Sequence, residues 1–140
     1  MSADLPQDLS EALVERLVAT FYGRVRADPV LGPIFESRLV GRWDAHLAAM
    51  AAFWSSVVLK SGRYQGRPHS AHQPLGLTLE HFQRWLTLFE ATVGDVCAGP
   101  AAALFIDRAH RIADSLQIGL NIGPKALSLQ MRRQHAEGTA

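Results

Sequence analysis

A chain of 140 residues with 48% hydrophobic content is long enough for one domain around a single core. Its 14 Lys and Arg against 13 Asp and Glu leave it close to neutral, so no global field recruits nucleic acid or an anionic membrane, and no apolar run reaches bilayer-spanning length. Cys97, the lone cysteine, excludes an internal disulfide and a paired-thiolate metal site, and MSADLPQDLS lacks the basic and apolar regions of a secretory signal, so a cytoplasmic protein is expected.

Helical periodicity runs through the chain, which is predicted to be all-α. Residues 1–8 read as an N-terminal extension. Asp8 and Glu11 have the spacing of a capping box, and Leu13, Val14, Leu17, Val18, Phe21 and Val25 follow three and four apart. This helix should end near Ala27, because Asp28 precedes Pro29. Tyr22 falls on the edge of its buried face. Val30 to Val40, with Gly32-Pro33, reads as a loop holding a short turn around Ile34 and Phe35.

A second helix is predicted from about Arg42 to Leu59, with Trp43, Leu47, Met50, Phe53, Trp54, Val57 and Val58 on one stripe. His46 points the same way. Ser61 to Leu77 is broken by Gly62, Gly66, Pro68, Pro74 and Gly76 and contains His72; irregular segments of this length are usually functional or mobile. Thr78 caps a third helix, with Glu80 in its first turn and Phe82, Trp85, Leu86, Phe89, Val93 and Val96 inward. Gly99-Pro100 separates it from a last helix carrying Ala102, Phe105, Ile106, Ala109, Ile112, Ala113 and Leu116 inward. The domain is expected to span residues 9–123. The basic stretch 124–140, with Lys125, Arg132 and Arg133, reads as a frayed tail.

Two histidines carry the chemistry. Neutral imidazole is the commonest protein metal ligand, and helical chains hold flat iron cofactors in apolar pockets with one axial histidine. Taken alone, His46 reads first as a core or boundary histidine satisfied by a hydrogen bond, ahead of a functional role, and His72 as a solvated loop residue ahead of a ligand. His69 and His72 have chelating spacing on a helical turn, but no third ligand stands near them in sequence. His81 and His110 fall on polar faces, and His135 lies in the tail; all three read as solvated. Tyr22 is either a boundary tyrosine wetted at its hydroxyl or a donor aimed into a cavity. Trp85 is core packing, or an indole N–H whose acceptor is a ligand. No phosphate loop, nucleophile motif or close carboxylate pair competes.

Several segments, in order, carry a family resemblance. They are Phe21-Tyr22 with Val25, Asp28 to Phe35, Trp43 with His46, and Phe53-Trp54. Next come Tyr64, Gly66 and Pro68 with His72, then Phe82, Trp85, Leu86, Leu88 and Phe89, and finally Arg108-Ala109 with Ile112-Ala113. Over about residues 9 to 120 the chain resembles the truncated haemoglobins, most closely group III, and it lacks the paired-glycine motifs of the other two groups.

The resemblance implies a two-over-two helical sandwich around one haem b. It puts His72 at the position of the proximal iron ligand, and Tyr22, His46 and Trp85 at the distal, ligand-facing positions, with His46 also a candidate iron ligand. Phe35, Met50, Phe53, Trp54, Leu75 and Phe82 are expected to wall the cofactor, and Arg63, Tyr64 and Arg67 to face its propionates, the two arginines reading equally as solvated. The expected ligands are the gases O2, NO and CO, and an unidentified reductase is an expected partner. Donors at Tyr22 and Trp85 favour ligand chemistry, such as nitric oxide detoxification or peroxide reaction, over oxygen transport. A sensor or storage globin without turnover, and a non-haem all-α interaction module, are the alternatives.

Overall fold

The computed structural model describes residues 9–64 and 77–119. Among them are five helices and no strand: α1 (Glu11–Ala27), α2 (Leu31–Leu39), α3 (Trp43–Val58), α4 (Leu79–Val96) and α5 (Gly99–Gly119). The extension 1–8 and the tail 124–140 lie outside the described residues.

Ser10, not Asp8, caps α1. Its backbone is extended and its hydroxyl accepts the Leu13 N–H at 3.1 Å. Glu11 is therefore the first helical residue, and its carboxylate is free to leave the helix: it takes the Ser55 hydroxyl and the Arg63 guanidinium. The helix stops where Asp28-Pro29 requires, with the Asp28 N–H bonded back to Val25.

The expected loop at 30–40 is instead a nine-residue helix, α2. Proline does not break it, because Pro33 stands in the first turn, where the N–H has no partner within the helix. Asp28 Oδ2 accepts the N–H groups of Val30 and Leu31 at 3.0 and 2.8 Å and so does the work of a cap. Gly32 lets α2 lie against the end of α1: a Cβ there would stand 2.7 Å from the Arg26 carbonyl oxygen.

α3 follows the expected stripe and ends at Val58, with Leu59 as its C-cap and Lys60 beyond it at a left-handed φ of 58°. Ser61 and Tyr64 are tied back to the helix, through the Ser55–Ser61 hydroxyl pair at 2.7 Å and the Tyr64 N–H to Ser56 at 2.9 Å. Thr78 caps α4 as expected, in a reciprocal box closed by His81.

α1 packs on α3 and α4 on α5, and the two pairs stack through α1–α4 and α3–α5 contacts. This is the two-over-two arrangement that the resemblance implies, with α2 lying against α1 and α4. The core between the layers is aromatic. Trp54 stacks on Phe89 (5.0 Å between centroids, 14° between planes) and Phe89 on Trp85 (5.3 Å, 7°), while Phe21 meets Phe89 and Trp85 edge-on. Val14, Leu17, Val25, Val93 and Phe105 are wholly buried around them.

Candidate functional site

All five helices contribute to one cavity of about 370 Å³, within the range of roughly 300–1,000 Å³ usual for small-molecule sites. Tyr22 reaches it from α1 and Phe35 from α2. His46, Met50, Phe53 and Trp54 reach it from α3, and Tyr64 from the segment after it. Phe82 and Trp85 come from α4, and Ile112, Ala113 and Leu116 from α5. The helical period explains the α3 set: residues three and four apart share a face, so one turn after another presents an aromatic or apolar group to the same space.

Tyr22 is buried (5% exposed), and burial holds its hydroxyl well above the ordinary phenol range, so it stays an O–H donor at any physiological pH. The hydroxyl meets no hydrogen-bond partner among the described residues, and neither does the indole N–H of half-buried Trp85. Buried tyrosine and tryptophan donors normally find an acceptor. Here both side chains border open space, which fits a cavity occupant that accepts hydrogen bonds.

The His46 ring sits in an aromatic box. Tyr22 meets it edge-on at 4.9 Å and 90°, Trp43 at 6.1 Å and 88°, and Phe35 at 6.4 Å and 64°. Tyr64 in turn meets Phe53 at 5.2 Å and 87°.

Nine residues singled out in the sequence therefore converge: Tyr22, Phe35, His46, Met50, Phe53, Trp54, Tyr64, Phe82 and Trp85. Arg63 is not among the lining residues; Glu11 engages its guanidinium. His72, Arg67, Leu75 and His69 lie outside the described residues, as does His135. His81 departs from its reading as a solvated residue, because it closes the α4 capping box and also borders the cavity. His110 is exposed and meets Glu90. Leu31, Arg38, Leu39, Arg42, Ala49 and Leu77 line the cavity without having been foreseen. Ile112, Ala113 and Leu116 were legible only as inward positions of the last helix.

No family model matches the chain. The group 3 truncated hemoglobin ctb of Campylobacter jejuni is 31% identical over 115 residues, 79% of this chain and 91% of that protein. The chain belongs to the group III truncated haemoglobins. The crystal structure of group III truncated hemoglobin from Campylobacter jejuni matches this truncated haemoglobin with a TM-score of 0.76 at 31% identity, covering 83% of this chain and 94% of that one.

As a truncated haemoglobin, the protein has haem b as its cofactor and diatomic gases as its ligands. The cavity fits that group chemically: its walls are largely aromatic and aliphatic, suited to a flat apolar ring, and the polar groups on it include two donors with no partner among the described residues. No helix among the described residues is long and apolar enough to cross a membrane.

Proposed function

We propose that this truncated haemoglobin transforms its diatomic ligand, oxidising nitric oxide to nitrate or reacting with peroxide, rather than carrying oxygen. The observation behind this is a pair of cavity-lining side chains, Tyr22 and Trp85, whose hydroxyl and indole N–H have no partner among the described residues. Bound haem b supplies an iron centre that takes up O2, NO or CO and changes oxidation state.

In this reading His72 would hold the iron, with His46 as a second candidate ligand. Phe35, Met50, Phe53, Trp54 and Phe82, with Leu75 as a further candidate, would wall the ring and exclude water from it, and Tyr64 would border it. Tyr22 keeps its proton because burial disfavours the phenolate, and it therefore donates. Trp85 can only donate. Hydrogen bonds to a partly charged ligand contribute roughly 1.5–3 kcal/mol each, so two of them slow ligand release by about two orders of magnitude or more. Slow release suits a site where the ligand reacts and suits a carrier poorly.

Oxidation of one nitric oxide by one dioxygen to nitrate consumes one electron, which an unidentified reductase must return on each turnover. The lone Cys97 is in keeping with a cytoplasmic, reducing setting. The test is to mix the oxygenated protein with nitric oxide in a stopped-flow instrument and to titrate it with peroxide. Nitrate formed in proportion to protein, or a rapid peroxide reaction, supports the proposal. Neither reaction, with ligand binding intact, identifies a sensor or store.

A further inference from the structure

Resting on the haem reading of the cavity, we infer that Arg38 and Arg42 form its anion-binding mouth and receive the two carboxylates of the bound cofactor. Both residues are exposed and both line the cavity, so they mark where it opens to solvent. Every arginine of α4 and α5, together with Arg24, Arg26 and Arg63, meets an Asp or Glu. Arg16, Arg38 and Arg42 meet none among the described residues, and of these three only Arg38 and Arg42 line the cavity. Glu36, two residues before Arg38, is already engaged by the Trp43 indole and by Arg26.

Their place on the backbone adds to this. Arg38 lies in the last turn of α2, and Arg42 is the N-cap residue of α3, where it makes no side-chain cap bond. A cation is a poor choice at a helix N-terminus, whose own partial charge is positive and favours an anion. Asp44 in the first turn of α3 offsets part of that charge but pairs with neither arginine. Two cations with no acidic partner among the described residues, at the opening of an apolar cavity, select a ligand with an apolar body and an anionic end. Haem b has that form, a flat ring with two carboxylates at one edge.

The experiment uses the full-length, haem-loaded protein and follows transfer of ferric haem to an excess of an apo-globin acceptor. The double variant Arg38→Ala/Arg42→Ala should release haem b about five- to tenfold faster than the wild type. Added salt should speed release from the wild type and have little effect on the variant. Haem dimethyl ester, with its carboxylates blocked, should leave both proteins at the same rate. Arg38→Lys/Arg42→Lys keeps the charge and should stay near the wild-type rate. Equal release of haem b from wild type and double Ala variant overturns the assignment. Cavity occupancy is read separately from the Met50 methyl resonance in the ferric, haem-loaded wild type. A shifted methyl with equal release rates rejects only the arginines; an unshifted methyl rejects haem in this cavity and the inference with it.

Discussion

The ring of His46 stands perpendicular to that of Tyr22, with the centroids 4.9 Å apart. Tyr22 thus both faces the cavity and forms one wall of the box around the imidazole. A second wall, Trp43, is itself fixed from outside: its indole N–H donates to Glu36 Oε1 at 2.6 Å, and the Arg26 guanidinium lies 4.4 Å from the ring centroid. The orientation of a cavity residue is therefore set partly by an ion pair and a hydrogen bond that do not touch the cavity.

Glu36→Ala removes the acceptor of that indole and the partner of Arg26 together. It should cost about 1–2 kcal/mol of stability, read from the urea midpoint. It should also change the rate at which carbon monoxide enters the haem-loaded protein, because the His46 box loses a fixed wall. An unchanged entry rate would show that the His46 ring does not depend on Trp43.

Tyr22→Phe and Trp85→Phe each delete one donor while keeping the ring and its packing. Each should speed oxygen release by about 10-fold or more, as expected for losing a hydrogen bond to a charged group. Displacement of oxygen by carbon monoxide in a stopped-flow instrument gives the rates. Unchanged rates in both variants would remove the reason for assigning ligand chemistry.

Gly32→Ala tests the contact between α1 and α2. The new Cβ would stand 2.7 Å from the Arg26 carbonyl oxygen and 3.3 Å from that of Val25, both backbone atoms that move only with their helix. The helices must part, at a cost of about 1–3 kcal/mol. Because α2 carries Phe35 and Leu31 to the cavity, haem release should also accelerate. A wild-type urea midpoint would show that the two helices separate freely.

The Asp28 carboxyl is held down at about 2, below its ordinary 3.8, chiefly by the hydrogen bond from Arg84, with the N–H groups of Leu31 and Val30 adding to it against the opposing effect of burial. A depressed carboxylate contributes stability that is complete above its unfolded pKa and disappears as the pH falls through the folded one, here between about pH 5 and pH 2. Asp28→Asn should lower stability at neutral pH and flatten that acid limb, as followed by thermal unfolding across the pH range. A limb of unchanged slope would place the acid sensitivity in other carboxylates.

Much of the fold was legible in the sequence because α1, α3, α4 and α5 each carry a long apolar stripe at helical spacing. The stripe explains why Trp54, Phe89 and Phe105 ended in the core. α2 was not legible. Its nine residues hold Gly32 and Pro33, and what makes them helical is a carboxylate three residues before its start and close packing on α1, neither of which periodicity reports. The same gap hid Arg38 and Leu39 from the candidate site. His81 looked solvated because a capping histidine sits on the polar side of its own helix. Spacing put His46 on the α3 stripe and Tyr22 at the edge of the α1 face, but their meeting depends on how α1 crosses α3. The resemblance to known globins anticipated the convergence of Tyr22, His46 and Trp85, which helical periodicity alone could not.

The absorption spectra of the ferrous and ferrous-carbonyl haem-loaded protein, compared between wild type and His72→Gly with and without added imidazole, bear most directly on whether one haem is held by His72. The wild type should show a histidine-ligated haem that binds carbon monoxide, the variant should lose that signature, and imidazole should restore it. A His72→Gly spectrum identical to that of the wild type, with haem fully retained, would mean that another residue holds the iron.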